Sequence, residues 1–255
     1  MLIQLPNGLI DGQDLFNFAD IDELRGKQQN YLADKDLVVG NIGHLPKILS
    51  DMILSLQTKE GLIWKGKISE AINKLPAGDL ETILIRVREN TYGSRFYHES
   101  ICPHCNHKEK NLRLDLDKLA LDVMSVEEQT TPKLIQLTKC KKEVELKPIF
   151  LADLFNILKV TKNESSELVT ALVSVSIKRL DEKSGITKLD IDNIPALDIM
   201  QLQQELDKVK LEGSIDTKIE ITCSNKDCKK EYSIKLNCFD PSFFDPTRGS
   251  PNTNT

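Results

Sequence analysis

The stretch Phe96-Tyr97-His98-Glu99-Ser100-Ile101-Cys102-Pro103-His104-Cys105-Asn106-His107, followed by Leu112-Arg113-Leu114-Asp115-Leu116, decides how this chain is read. Apolar and polar residues alternate on both sides of a cysteine-bearing turn. That is the period of half-buried strands, so the stretch predicts a β-hairpin with Cys102 and Cys105 at its tip. Far downstream, Ile219-Glu220-Ile221-Thr222-Cys223-Ser224-Asn225-Lys226-Asp227-Cys228, followed by Tyr232-Ser233-Ile234-Lys235-Leu236, has the same build. A divalent, softly liganded metal such as zinc takes four ligands at tetrahedral corners, and two short-spaced cysteine pairs on separate turns can supply them. One Cys-x-x-Cys alone is weak. Two hairpins built alike predict a structural Zn2+ site made by Cys102, Cys105, Cys223 and Cys228.

The composition frames this reading. The chain has 255 residues, 40% hydrophobic, with a net charge of −5, enough for one large domain or two smaller ones with cores of their own. Aromatic residues make up only 5%, so packing rests on Leu, Ile and Val. The acidic balance argues against a general nucleic-acid binder, whose footprint is basic. The basic run Lys139-Cys140-Lys141-Lys142 passes at once into Glu143 and Glu145 and reads as a solvated strand face. Met1-Leu2-Ile3-Gln4-Leu5-Pro6 lacks the basic start and apolar run of a signal peptide. The longest apolar stretch, 168–177, is broken by Thr170, Ser174 and Ser176 and is too short for membrane insertion. A reducing cytoplasm is therefore expected, where paired cysteines favour metal over disulfide. Cys140 and Cys238 are left over and read as small buried apolar residues.

Taken in order, residues 2–19 are rich in turn formers and predict a short strand and loop. Their glycines follow neither Rossmann nor P-loop spacing. A short helix is expected over 21–31. Leu45, Ile48, Leu49, Met52, Ile53 and Leu56 form one helical face, with Pro46 tolerated near its start. A strand at 62–64 and a helix at 69–75 follow. Pro76-Ala77-Gly78-Asp79 stops one element and starts the next, with Asp79 as N-cap. The helix it opens presents Leu80, Ile83, Leu84 and Val87 on one face, turns Arg86 and Arg88 elsewhere, where they read as ordinary exposed residues, and ends at Gly93. An acidic, irregular boundary spans 119–131. Beyond it come a β-rich stretch to Ile149, helices at 151–160 and 165–180, a polar turn at 181–185, and a helix from Pro195 that Gly213 ends.

The fold class this predicts is α+β: a discontinuous zinc ribbon of two cysteine hairpins, with an inserted mostly helical module and an N-terminal α/β segment. The expected parts are an N-terminal segment at 1–75, a helix and first ribbon half at 76–131, and the module at 132–213. The second ribbon half and a Phe-rich segment occupy 214–246, and a disordered polar tail 247–255. Closing a long loop costs entropy that grows only as the logarithm of its length. Structural zinc binding of about 10 kcal/mol offsets that cost. In the Phe-rich segment, Phe239, Phe243 and Phe244 either pack back on the ribbon or dock on a partner.

Catalytic chemistry is not visible. The four histidines are His44, His98, His104 and His107. His107 could replace a cysteine ligand, but a hairpin with two cysteines has no need of it, and His104 is expected to face solvent. No H-E-x-x-H, G-x-S-x-G or Cys–His pairing with an orienting acid can be assembled. Four matched cysteines leave none of the open positions a catalytic zinc keeps. A thiol oxidoreductase using Cys102 and Cys105 would need a βαβ context that the hairpin pattern does not offer. The chain reads as a non-enzyme.

One longer stretch carries a resemblance. It runs Leu75-Pro76-Ala77-Gly78-Asp79-Leu80-Glu81-Thr82-Ile83-Leu84-Ile85-Arg86-Val87-Arg88, then Thr91-Tyr92-Gly93-Ser94-Arg95, then Cys102-Pro103-His104-Cys105. With the second cysteine pair and Phe239-Asp240-Pro241-Ser242-Phe243-Phe244 after it, this order resembles the baseplate and hub-assembly proteins of T-even-type contractile-tailed phages and related contractile injection systems. The resemblance covers about residues 75–244. The second pair departs from it, with four residues between its cysteines rather than two. The resemblance implies a non-enzymatic protein that builds or joins the tail baseplate hub. Its implied partners are other tail proteins, and its implied locations are the host cytoplasm during assembly and the virion baseplate. A second class stays open on the residues alone: a zinc-ribbon nucleic-acid adaptor of the transcription type, against which the acidic charge counts.

Overall fold

The computed structural model describes residues 1–32, 44–160 and 165–245; the tail expected at 247–255 lies outside them. The fold is mixed α/β, with several small antiparallel sheets. Strands β1 (Leu2–Asp11) and β2 (Asp14–Ile21) form an N-terminal hairpin where a short strand and loop were expected. Its register slips between Gln4 and Leu9, and this bulge lets Asn7 and Gly8 leave the ladder and bond elsewhere. Helix α1 (Gly26–Leu32) follows, then α2 (Leu45–Met52) and β3 (Ile53–Gln57), which pairs with β2. The single helix expected over 45–56 is therefore shorter. Ile53 and Leu56 stand three residues apart, a spacing that suits a helix, but here they are buried strand residues. The strand expected at 62–64 is reduced to one bridge, Gln57 to Ile63. Helix α3 (Ile68–Lys74) lies close to its expected place.

Helix α4 (Gly78–Tyr92) runs through the larger hydrophobic core, with Leu80, Ile83, Leu84, Ile85 and Val87 all buried. Two expectations about it are corrected. Asp79 is not the N-cap: Ala77 occupies that position, and Asp79, fully buried in the first turn, turns its carboxylate toward β1. Arg88 is not an exposed residue either; it has no solvent exposure. Its Nε donates to the Phe243 carbonyl at 2.9 Å, and its guanidinium lies 4.7 Å from the Phe96 ring centroid. Arg86 is half-buried, paired with Glu89 at 2.7 Å and donating to the Leu116 carbonyl.

The chain then forms β4 (Arg95–Ile101) and β5 (Lys108–Asp115), the first cysteine hairpin, and a 3-10 turn at Leu116–Lys118. Next come β6 (Leu121–Asp122) and α5 (Val126–Thr130), which Ser125 and Glu128 start with a reciprocal capping box. Strands β7 (Lys133–Gln136) and β8 (Glu143–Leu146) lead to α6 (Leu151–Val160), the helix expected there. Helix α7 (Ser165–Ser176) passes directly into β9 (Ile177–Leu180), so the helix expected to reach residue 180 stops short. Strand β10 (Lys183–Ser184), α8 (Lys188–Asp192) and α9 (Ala196–Lys208) follow, with Pro195 capping α9 as its position suggested.

Strands β7 to β10 form one sheet, which packs with α7 and α9 around a second core of Ile135, Val144, Val173, Ile177 and Leu202. Helix α6 turns Leu151 and Phe155 into the larger core instead. Strand β11 (Ser214–Ile215) pairs with β6, so the chain segments on either side of residues 123–213 are hydrogen-bonded together. Strands β12 (Lys218–Thr222) and β13 (Glu231–Lys235) form the second cysteine hairpin. A final 3-10 turn, Pro241–Phe244, buries Phe243 and Phe244 against the larger core, while Phe239 is 45% exposed. Of the two fates considered for the phenylalanines, packing back holds for these two. Among the described residues, no helix is long and apolar enough to cross a membrane.

Three backbone segments meet at one junction. Asn7 and Gly8 in β1 donate their amides to the Asp79 carboxylate at 2.9 and 2.8 Å. The Asn7 side chain accepts from the Gly213 amide at 2.6 Å and donates to the Gly213 carbonyl at 3.1 Å. Glu212 accepts from the Gly78 amide at 3.0 Å. The approach is so close that a Cβ on Gly78 would stand 2.4 Å from the Gly213 carbonyl oxygen, and one on Gly213 would stand 2.3 Å from that of Asp122. Only glycine fits at either position.

Candidate metal centre

Each cysteine hairpin is closed by its own backbone. In the first, the Cys102 amide donates to the His107 carbonyl at 2.9 Å, and the Asn106 amide donates to the Cys102 carbonyl at 2.9 Å. Asn106 takes a left-handed conformation (φ 59°), which asparagine tolerates better than most side chains. In the second, the Cys223 amide donates to the Lys230 carbonyl at 3.0 Å, and Lys229, just after Cys228, is also left-handed (φ 46°). The two extra residues between Cys223 and Cys228 are taken up in a turn, where the Asn225 carbonyl accepts from the Cys228 and Lys229 amides. Both loops therefore deliver two thiols to one side despite their unequal spacing.

The hairpins face each other and bring the four predicted residues together. The sulfurs of Cys102, Cys105, Cys223 and Cys228 all lie within 4.8 Å of one another. Cys102 Sγ is 3.9 Å from Cys228 Sγ, and Cys105 Sγ is 3.6 Å from Cys223 Sγ, so all four thiols are free. A tetrahedral zinc ion about 2.3 Å from each sulfur would set sulfur–sulfur edges of about 3.8 Å. The spacing and the chemistry of the donors fit such an ion. Cys102 and Cys223 are buried, while Cys105 is exposed. Burial pushes the Cys223 thiol up, whereas the His107 backbone N–H draws the Cys105 thiol down. Such a set ionises fully only when a cation sits among the sulfurs.

Polar contacts that no motif signals bind the hairpins to each other. The Glu109 carboxylate accepts from the Ser224 amide at 2.7 Å and from its hydroxyl at 2.9 Å, which holds the carboxyl below the usual range. Ser100 Oγ lies 2.9 Å from the Tyr232 hydroxyl. The Asn225 amide group lies 3.7 Å from Cys105 Sγ, placed to support a thiolate. His107 lies outside the sulfur cluster, with Nε2 3.1 Å from Ser224 Oγ. His104 is exposed as expected, yet its Nε2 lies 3.2 Å from the Glu231 carbonyl. With four protein sulfurs around one point, the arrangement can hold a metal and close the fold, but it offers no coordination site to a substrate.

A third turn shares this build without joining the cluster. The Leu137 amide donates to the Lys142 carbonyl at 2.8 Å, Lys141 is left-handed (φ 60°), and Cys140 follows Leu137 at the spacing that separates Cys105 from Cys102. Here the Asp198 carboxylate from α9 accepts from the Lys139 and Cys140 amides, each at 2.8 Å. Asp198 thus anchors a knuckle-shaped turn to the smaller core. Cys140 is half-buried, and Cys238 is fully buried.

A family model described as T4 bacteriophage base plate protein matches residues 47–245. The match starts in α2, takes in both cysteine hairpins and the segments between them, and ends just after Phe243 and Phe244. No curated protein and no solved structure matches the chain.

Proposed function

Because the chain belongs to the T4 bacteriophage base plate protein family, we propose that it is a non-enzymatic structural or assembly protein of a contractile tail baseplate or its hub. In this reading, its two cysteine hairpins form a zinc ribbon stapled by Zn2+ at Cys102, Cys105, Cys223 and Cys228. The observation that carries the proposal is the convergence of four sulfurs from hairpins more than a hundred residues apart in sequence, within the region the family model matches. The site is fully occupied by protein donors and lies where two parts of one fold meet. That suits an element whose task is to hold a shape against its neighbours. The partners are other tail proteins, and the protein acts in the host cytoplasm during assembly and in the virion's tail. Residues 132–213 act as an inserted module, hydrogen-bonded at its base through β6 and β11.

The experiment combines metal analysis with assembly. The purified chain should hold about one zinc per molecule, and the double variant Cys102→Ser/Cys223→Ser should lose both the zinc and the formation of complete tails. Normal tails built with the double variant would overturn the structural role given to the site. Salt-sensitive binding to DNA or RNA would favour the nucleic-acid adaptor instead.

A further inference from the structure

A cavity of about 610 Å3 lies where the smaller core joins the rest of the fold. Ile149, Leu172, Leu206, Val209 and Leu211 make most of its wall. At one end stands Glu212, which accepts from the Gly78 amide and forms no ion pair among the described residues. The charged groups around Glu212 are mostly of its own sign. Asp79 and Glu81, both on α4, repel its carboxylate, and burial together with these two pushes Glu212 up to about 7. Lys210, which also lines the cavity, pairs with Asp122 at 2.8 Å, and Lys235 acts on Glu81.

We propose that this cavity is a socket for a lysine or arginine side chain carried on an apolar segment of a partner protein. The chemistry selects that occupant. An apolar side chain would fill the walls but leave Glu212 without a counter-charge, so that its carboxyl would take up a proton rather than stay ionised. An acidic side chain would add one more negative charge beside Asp79, Glu81 and Glu212. A basic side chain lays its methylene stem along the apolar wall and brings its charged head to Glu212. Because Ile149 precedes α6 and Glu212 precedes β11, an inserted side chain would brace the junction between the two cores. This inference concerns a surface away from the cysteines, and its test makes no use of tail assembly, so its failure leaves the baseplate reading untouched.

The test uses n-hexylamine and n-hexanol as probes, titrated into the full zinc-loaded chain at pH 8 and followed by methyl NMR of Leu172, Leu206 and Leu211. The amine should shift these methyls and bind about tenfold more tightly than the alcohol, the difference expected of one charge-assisted contact. Glu212→Gln should erase that preference while leaving hexanol binding in place. Val209→Trp, which puts an indole into the cavity and keeps the carboxylate, should weaken amine binding, and it decides the matter if Glu212→Gln does not fold. Equal binding of amine and alcohol by the natural chain, an unchanged preference in Glu212→Gln, or unchanged amine binding in Val209→Trp would each overturn the proposal.

Discussion

The carboxylate of Asp79, in the first turn of α4, accepts the backbone amide and side-chain amide of Asn7, at 2.9 and 3.1 Å, across 72 residues of sequence. Both residues are fully buried. Asn7 also pairs with Gly213 in both directions and accepts from the Gln129 side chain at 2.9 Å. A single asparagine thus joins the N-terminal hairpin to α4, to α5 and to the segment that enters the second cysteine hairpin.

Asp79→Asn should cost about 2–4 kcal/mol of stability, because the new amide presents a donor where the chain already supplies three. Urea denaturation of the two proteins measures this directly. A loss under about 0.5 kcal/mol would mean that the junction rearranges at little cost.

Burial raises Asp79 to about 6, and burial with neighbouring carboxyls raises Glu212 to about 7. Both exceed the unfolded values near 4, so between about pH 4 and pH 7 these two groups hold more protons in the folded chain than in the unfolded one, and their contribution to stability falls as pH rises. From pH 8 down to pH 6 these two carboxyls should contribute a gain of about 1–2 kcal/mol, set against the loss from metal-bound thiolates, which favour high pH. The depressed carboxyls Glu109, Glu145 and Asp190 lose their contribution only below about pH 4 and do not mask this gain. Glu212→Gln should remove most of that carboxyl contribution, read as the difference between the denaturation curves of the two chains at the two pH values.

Arg88 holds the C-terminal segment to α4. It donates to the carbonyls of Phe243, Gly93 and Arg95, and its guanidinium lies against the rings of Phe96 and Phe243. Lysine keeps the charge but not the planar fork, so Arg88→Lys should destabilise by about 2–4 kcal/mol. Limited proteolysis should then cut near Phe243 and Phe244 while the natural chain resists. Equal resistance would assign the anchoring to the aromatic packing alone.

Metal removal should act locally first. A strong chelator should open the amides of Cys102 and Cys223, now bonded to His107 and Lys230, to hydrogen exchange. Amides of β7 to β9, in the smaller core, should stay protected. Loss of protection in both regions at the same rate would show that the two cores unfold as one.

Much of this architecture was legible in the residues alone. The alternation around each cysteine pair determines two hairpins, since period-two burial and a tight turn are local properties. The cysteine chemistry points to a soft cation that the clustered sulfurs could hold. Pro195 marks the start of the last long helix, but that helix ends at Lys208, and Gly213, expected to end it, serves the junction with Asn7 instead. Local pattern misleads where one spacing serves two structures: Ile53 and Leu56, or Ile177 and Leu180, stand three apart and suit a helix, but neighbouring strands draw them into sheets. The sequence also makes Asp79 look like a cap and Arg88 like a surface residue, because propensity describes the first turn and not what is packed against it. Only tertiary structure decides that Asp79 meets Asn7, that Arg88 meets Phe243, and that Glu109 meets Ser224. Each pairing joins residues at least 72 apart, whose contact depends on how the whole chain buries its apolar faces and then satisfies the polar groups caught between them.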